Sequence, residues 1–215
     1  YLERDVRQVV QVKSLRDFDR FLRLAASRTG QLLTLNSFAG ELGLSPNTIK
    51  SWLSVLEASN VILFLEPFYR NLGKRIVKSP KLYFLDTGLA CFLSGIRTRE
   101  ALSTSSMLRP LFETLVLGQM IRALANSGRR ASIYFYRDHQ GHEVDFLIPV
   151  GDKLKLFECK WSESVSREQK GFEVIEKAAG SKSIISRSVV TPLRGRRTLK
   201  AAGVLVRDCA DFQDL

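Results

Sequence analysis

The chain has 215 residues, 45% hydrophobic and 26% charged, enough for one large domain or two small ones and unlike disordered, collagen-like or disulfide-scaffold chains. Thirty-three Lys and Arg against 22 Asp and Glu leave a formal charge of +11, so an anionic partner is expected, DNA before an acidic protein surface. Apolar runs such as Val61–Leu65 fall far short of the ~18 residues that cross a bilayer, so no membrane partner is expected.

The opening residues Tyr1-Leu2-Glu3-Arg4-Asp5 lack a starting Met and the basic-then-apolar layout of a signal peptide, which points to a cytoplasmic protein or a piece of one. Cys91, Cys159 and Cys209 are odd in number and far apart, and read as buried thiols in a reducing compartment. His139 and His142 flank Gln140-Gly141 and read as a solvated turn rather than a metal site.

From Asp17 to Leu24, Phe18, Phe21, Leu22 and Leu24 recur at helical spacing, and the helix stops before Arg28-Thr29-Gly30. Residues 1–27 are read as a connecting helix. The next zone, 28–98, opens with a helix marked by Leu35, Phe38, Ala39 and Leu42 and ended by Gly43. Ser45 then caps a helix with Pro46 at its first position, and Ile49, Trp52, Leu53 and Leu56 make its apolar face. Two helices joined by so short a turn make a helix-turn-helix. Val61–Leu65 reads as a strand, residues 67–81 as a basic loop and Leu82–Phe84 as the returning strand, which together describe a winged helix-turn-helix.

The exposed face of the second helix offers Asn47, Lys50, Ser51 and Ser54 to bases or phosphates. Two acid-free clusters are better suited to phosphate: Arg70, Lys74, Arg75, Lys78 and Lys81 in the loop, then Arg194, Arg196, Arg197 and Lys200. The same loop would equally suit docking on an acidic protein surface.

Residues 97–106 are read as a linker, and 99–215 as an α/β domain. Its expected elements are a helix over 108–125, strands over 133–137, 143–148 and 155–161, a helix from Ser166 to Ala179, and strands near 184–185 and 204–206. Four polar residues fall at telling places: Glu113, Asp145, Glu158 and Lys160. Side chains two apart on a strand share a face, so Glu158 and Lys160 point together. If Asp145 lies alongside, two carboxylates converge where oxygen ligands suit Mg²⁺ or Mn²⁺, with Lys160 beside the metal to orient water or stabilise charge. Such a set supplies what phosphodiester hydrolysis needs. The alternative is an ordinary strand-surface ion pair with Asp145 solvating a strand end.

Glu113, Asp145 and Glu158-Cys159-Lys160, in this order of elements, resemble the PD-(D/E)XK nuclease-like superfamily. Gly73-Lys74-Arg75, the run from Lys78 to Ala90, Tyr1–Asp5 and Glu143-Val144-Asp145-Phe146 resemble the C-terminal region of prokaryotic AAA-type ATPases. The resemblance covers essentially the whole chain. It implies an α+β protein: a winged helix, then a mixed central sheet flanked by helices, with an ATPase domain preceding both. It places Asp145, Glu158 and Glu113 around a metal and Lys160 in the reaction. No G-x-x-x-x-G-K-[ST] phosphate loop occurs in the chain, so nucleotide hydrolysis is not expected of it. A metal-dependent nuclease module and a non-catalytic DNA-binding or protein-docking module on the same scaffold both remain open.

Overall fold

The computed structural model describes residues 14–69, 76–130, 132–162, 169–192, 199–201 and 203–215. Seven α-helices and two β-sheets occur among them, and the chain divides into two compact units, Tyr1–Phe64 with Pro80–Thr114, and Leu65–Ser79 with Leu115–Leu215.

In the first unit, helix α1 (Leu15–Ser27) is capped by Ser14, whose hydroxyl accepts from Asp17 N–H. Phe18, Phe21, Leu22, Ala25 and Ala26 form its buried stripe. Helix α2 (Leu35–Leu42) ends at Gly43, whose φ of 68° suits glycine and turns the chain. Helix α3 (Pro46–Ala58) starts on Ser45, which accepts from Thr48 N–H, with Pro46 in the first turn. Ile49, Trp52, Leu53 and Leu56 are buried along α3. Trp52 meets Phe18 edge-on at 5.2 Å and Phe21 at 5.2 Å, so α1 belongs to the same core as the helix pair.

Strands β1 (Gln31–Leu32), β2 (Ile62–Leu65) and β3 (Lys81–Phe84) form a sheet in the order β1-β3-β2. Asp86 caps helix α4 (Thr87–Leu93) by accepting from Leu89 N–H, and Thr98 caps helix α5 (Arg99–Thr104) by accepting from Ala101 N–H. The stretch read as a linker is therefore largely helical. Helix α6 (Leu108–Asn126) follows, and the division between units falls within it, after Thr114.

The second unit is built on a six-stranded sheet, β4-β5-β6-β7-β9-β8, from β4 (Tyr134–Arg137), β5 (Glu143–Val150), β6 (Lys153–Cys159), β7 (Ile184–Thr191), β8 (Leu199–Ala201) and β9 (Val204–Asp208). Its first three strands are antiparallel in sequence, β6-β7 and β7-β9 are parallel, and β8 returns antiparallel to β9. Helix α7 (Lys170–Ala179) buries Phe172 and Ile175 against Leu154, Leu156 and Val189. Gly171 permits that contact: a Cβ there would stand 1.9 Å from the Glu143 carbonyl oxygen. Ser166, the expected helix cap, lies outside the described residues.

The loop expected of a wing divides differently from its sequence reading. Phe68 N–H donates to Phe135 C=O, Phe135 N–H to Glu66 C=O, and Val77 N–H to Arg137 C=O, while Phe68 and Ile76 are buried in the core of the second unit. Their apolar side chains place the described residues 65–69 and 76–79 with that unit, although β2 begins in the first unit and β3 lies in it.

Candidate functional site

Strands β5 and β6 are paired from Val150↔Lys153 to Phe146↔Phe157. One residue beyond the last pair, the Asp145 carboxylate accepts from Cys159 N–H at 2.7 Å, doing the work a ladder carbonyl would otherwise do. The β4–β5 register shifts between Tyr134 and Tyr136, just opposite this point, an irregularity of the kind that re-aims a side chain. On the far edge of β6, Lys160 N–H donates to Val190 C=O at 2.9 Å. The end of β6 is thus held on both sides, and it carries Glu158 and Lys160.

Glu158 stands two residues from Leu156 and shares its face by strand alternation. Lys160 Nζ donates to Glu158 Oε1 at 2.6 Å; the lysine side chain is 44% exposed and the glutamate 16%. Asp145 is 7% exposed. Burial pushes the Glu158 carboxyl up to about 7, the Asp145 charge adds to the rise, and Lys160 opposes it. Two carboxylates and an ammonium therefore act on one another at the end of a strand, and one carboxyl changes charge near neutral pH.

Glu113 has partners in the first unit. Its Oε2 accepts from Tyr83 Oη at 3.3 Å and stands 3.8 Å from Lys81 Nζ. Lys81, expected as a phosphate contact in an exposed loop, is 3% exposed at the start of β3. That expectation is corrected: a strand position with a carboxylate partner draws the lysine inside. Lys50, Asn47, Ser51 and Ser54 are exposed on α3, and Lys78 is exposed. Arg70, Lys74, Arg75, Arg194, Arg196 and Arg197 lie outside the described residues, as does the side chain of Lys200.

Among the described residues no group of three or more His, Cys, Asp or Glu is placed to hold a metal ion; Asp145 and Glu158 make a pair. His142 Nδ1 lies 2.9 Å from Asp138 Oδ2, and Asp138 also accepts from Gln140 and His142 N–H, so this histidine fastens the β4–β5 turn. The three cysteines are half-buried, and burial followed by the Asp208 charge pushes the Cys209 thiol up to about 11. Two neighbours of the trio were not singled out from sequence. Glu143, ion-paired with Arg137 at 3.0 Å, also raises the Glu158 carboxyl; its place two residues before Asp145 was the available signal. Trp161, directly after Lys160, is 46% exposed, and no periodicity marks it.

Among the described residues no helix is long and apolar enough to cross a membrane. No solved structure matches the chain. It is 31% identical over 172 residues to the uncharacterized protein Mb2031c of Mycobacterium bovis, and equally to the uncharacterized protein Rv2008c of Mycobacterium tuberculosis. Each match covers 79% of this chain but 38% of the relative, so the chain spans well under half the length of these curated relatives. Residues 1–100 match DUF8612, a domain of unknown function, and residues 109–202 match DUF4143, another. The chain is thus similar to two adjoining domains of unknown function, the second of a kind typically found with AAA-type ATPases.

Proposed function

We propose that the second unit is a metal-dependent DNA phosphodiesterase of the PD-(D/E)XK type, and that the helix pair and three-stranded sheet of the first unit are a winged helix that holds DNA. The observation that carries this reading is the meeting of Asp145, Glu158 and Lys160 at the end of β6, with Glu158 held at about 7. An acid at the end of one strand and an acid-x-lysine on its neighbour are the donor set such hydrolysis uses.

Mg²⁺ takes one or two carboxylates and fills its remaining positions with water and phosphate oxygens, and the Asp145 and Glu158 pair fits that requirement. When bound there, the cation would supply charge neutralisation on the scissile phosphate and a more acidic water. The protein's own part begins with Asp145, whose carboxylate is oriented by Cys159 N–H. Glu158 loses its proton near neutral pH and presents a second anionic oxygen. Lys160, with its ammonium at the solvent edge, turns from Glu158 toward a phosphate oxygen and offsets charge developing there. Glu113, bound to Lys81 and Tyr83, joins α6 to β3 in the first unit. Lys50 and Lys78 supply non-specific phosphate contacts. The intact protein couples this module to an AAA-type ATPase.

The test is incubation with DNA and Mn²⁺ or Mg²⁺. Cleavage is expected in the wild type, with Asp145→Asn losing both cleavage and cation-dependent thermal stabilisation. Lys160→Ala should lose cleavage and keep the stabilisation. DNA binding without cleavage in the wild type would overturn the enzyme reading in favour of a non-catalytic module that reports DNA to the ATPase.

A further inference from the structure

A second site of different chemistry lies in the same unit. The C-terminal half of α6 and the chain's last residues form an open surface cavity of about 460 Å³ lined by Gln119, Arg122, Asn126, Arg129, Phe212 and Gln213, among others. That volume is in the range of small-molecule sites. No acidic residue lines it.

Both arginines make local contacts that restrict their side chains. Arg122 folds back over Gly118: a Cβ on that glycine would stand 3.4 Å from each of its terminal nitrogens. A glycine inside a helix costs about 1 kcal/mol against alanine, and here the vacated surface seats an arginine. Arg129 Nε donates to Ser127 Oγ at 3.0 Å, which orients the rest of the fork. Neither arginine has an ion-pair partner among the described residues. The helix end does not oppose an anion either. Ser127, Gly128 and Arg129 N–H groups take the carbonyls of Ala123, Leu124 and Ala125, which mutes the negative pole.

The cavity is not another view of the Asp145 site. Phe212 packs against Phe157 with ring centroids 6.3 Å apart, and Phe157 alternates with Glu158 on β6, so Phe212 and the cavity it lines lie on the opposite face of the sheet.

We propose that this cavity binds a phosphate-bearing small molecule of nucleotide size. Two guanidinium forks match phosphate oxygens in bidentate fashion, and the amides of Gln119, Asn126 and Gln213 offer paired donors and acceptors to the edge of a base. The volume exceeds what inorganic phosphate fills. Substitution of the two arginines ties nucleotide binding to this cavity rather than to the phosphate contacts proposed for Lys50, Lys78 and Lys160.

The experiment is calorimetric titration of the 215-residue chain with ADP, adenosine and inorganic phosphate, all without divalent metal. ADP is expected to bind at least tenfold more tightly than either fragment. Arg122→Gln and Arg129→Gln should each weaken ADP roughly tenfold or more. Both arginines are at the surface, and an unchanged melting temperature without ligand verifies that the variants are folded. Equal affinity for ADP and adenosine, equal affinity for ADP and phosphate, or undiminished ADP binding by the double variant would each overturn the proposal. DNA cleavage plays no part in the readout, so the fate of the nuclease reading does not bear on it.

Discussion

In the first unit Lys81 Nζ stands 3.8 Å from Glu113 Oε2 with its side chain 4% exposed, whereas in the second Lys160 Nζ donates to Glu158 Oε1 at 2.6 Å with its side chain 44% exposed. The two pairs have the same chemistry in opposite surroundings. Lys81 is inside the fold, on a strand, and its glutamate is also bonded by the buried Tyr83. Lys160 is wet and Glu158 dry, and Asp145 beside Glu158 raises its affinity for a proton. Removing one partner from a buried pair strands a charge. Removing Lys160 would leave Glu158 in a site that already favours its neutral form, so the carboxyl escapes a stranded charge by taking up a proton. The first arrangement serves stability and the second keeps a cation movable beside two acids.

Four substitutions break or sharpen that contrast. The largest effect is expected from Lys81→Met, which leaves Glu113 without its lysine and should cost about 3–5 kcal/mol in denaturant unfolding. A cost below ~1 kcal/mol would remove the structural role of the pair.

Next comes Glu158→Gln. The folded carboxyl sits at about 7, above its ordinary 4.5, so the fold favours the protonated form. Ionisation destabilises the native state increasingly as pH rises from 4.5 to 7, and the penalty is constant above that. The variant should therefore be more stable than wild type at pH 8, by on the order of 3 kcal/mol, with the gain fading by about pH 4.5. A difference that does not vary with pH would show that Glu158 is not perturbed by its site.

Asp214→Asn tests an intermediate arrangement. Arg207 is 4% exposed and forks onto Asp214, itself 60% exposed, at 2.6 and 3.0 Å. The guanidinium holds the Asp214 carboxyl below its ordinary 3.8, so the pair stabilises the fold above that pH and loses its effect as pH falls through the lowered value. Discounted for solvent screening, the variant should cost about 1 kcal/mol at pH 7 and nothing in strong acid. A cost that persists in strong acid would assign the effect to packing.

The smallest stability effect belongs to Lys160→Ala below neutral pH, where Glu158 can hold its proton; it is expected within about 0.5 kcal/mol of wild type. Paired with the loss of cleavage proposed for the same variant, it separates a lysine kept for chemistry from one kept for folding. A loss of several kcal/mol would make Lys160 a second Lys81.

Elements governed by neighbours in sequence were legible from it. Ser45-Pro46, the left-handed Gly43 and the spacing of Ile49, Trp52, Leu53 and Leu56 locate α2 and α3 to within a residue. Asp145, Glu158 and Lys160 could be named because alternation along a strand is a local rule. Helix α5 was hidden in a polar stretch with no buried face, although Thr98 was an available cap. Strand β1 has two residues, too few to show a period. Strand β7 reads as a short run around Ile184, yet extends to Thr191 because parallel neighbours on both sides complete its hydrogen bonds.

By itself the sequence determined the helix caps, the apolar faces, the charge balance and the residue types of the candidate site, all of which depend on residues within a turn or a strand of one another. Only the tertiary structure decided that Phe68 and Ile76 join the core of the second unit, that Lys81 is inside, that Asp145 bonds Cys159 fourteen residues away, and that Glu158 holds its proton to about pH 7. Each of these turns on burial and on contacts between distant segments, and neither desolvation nor an opposing charge is written in local spacing.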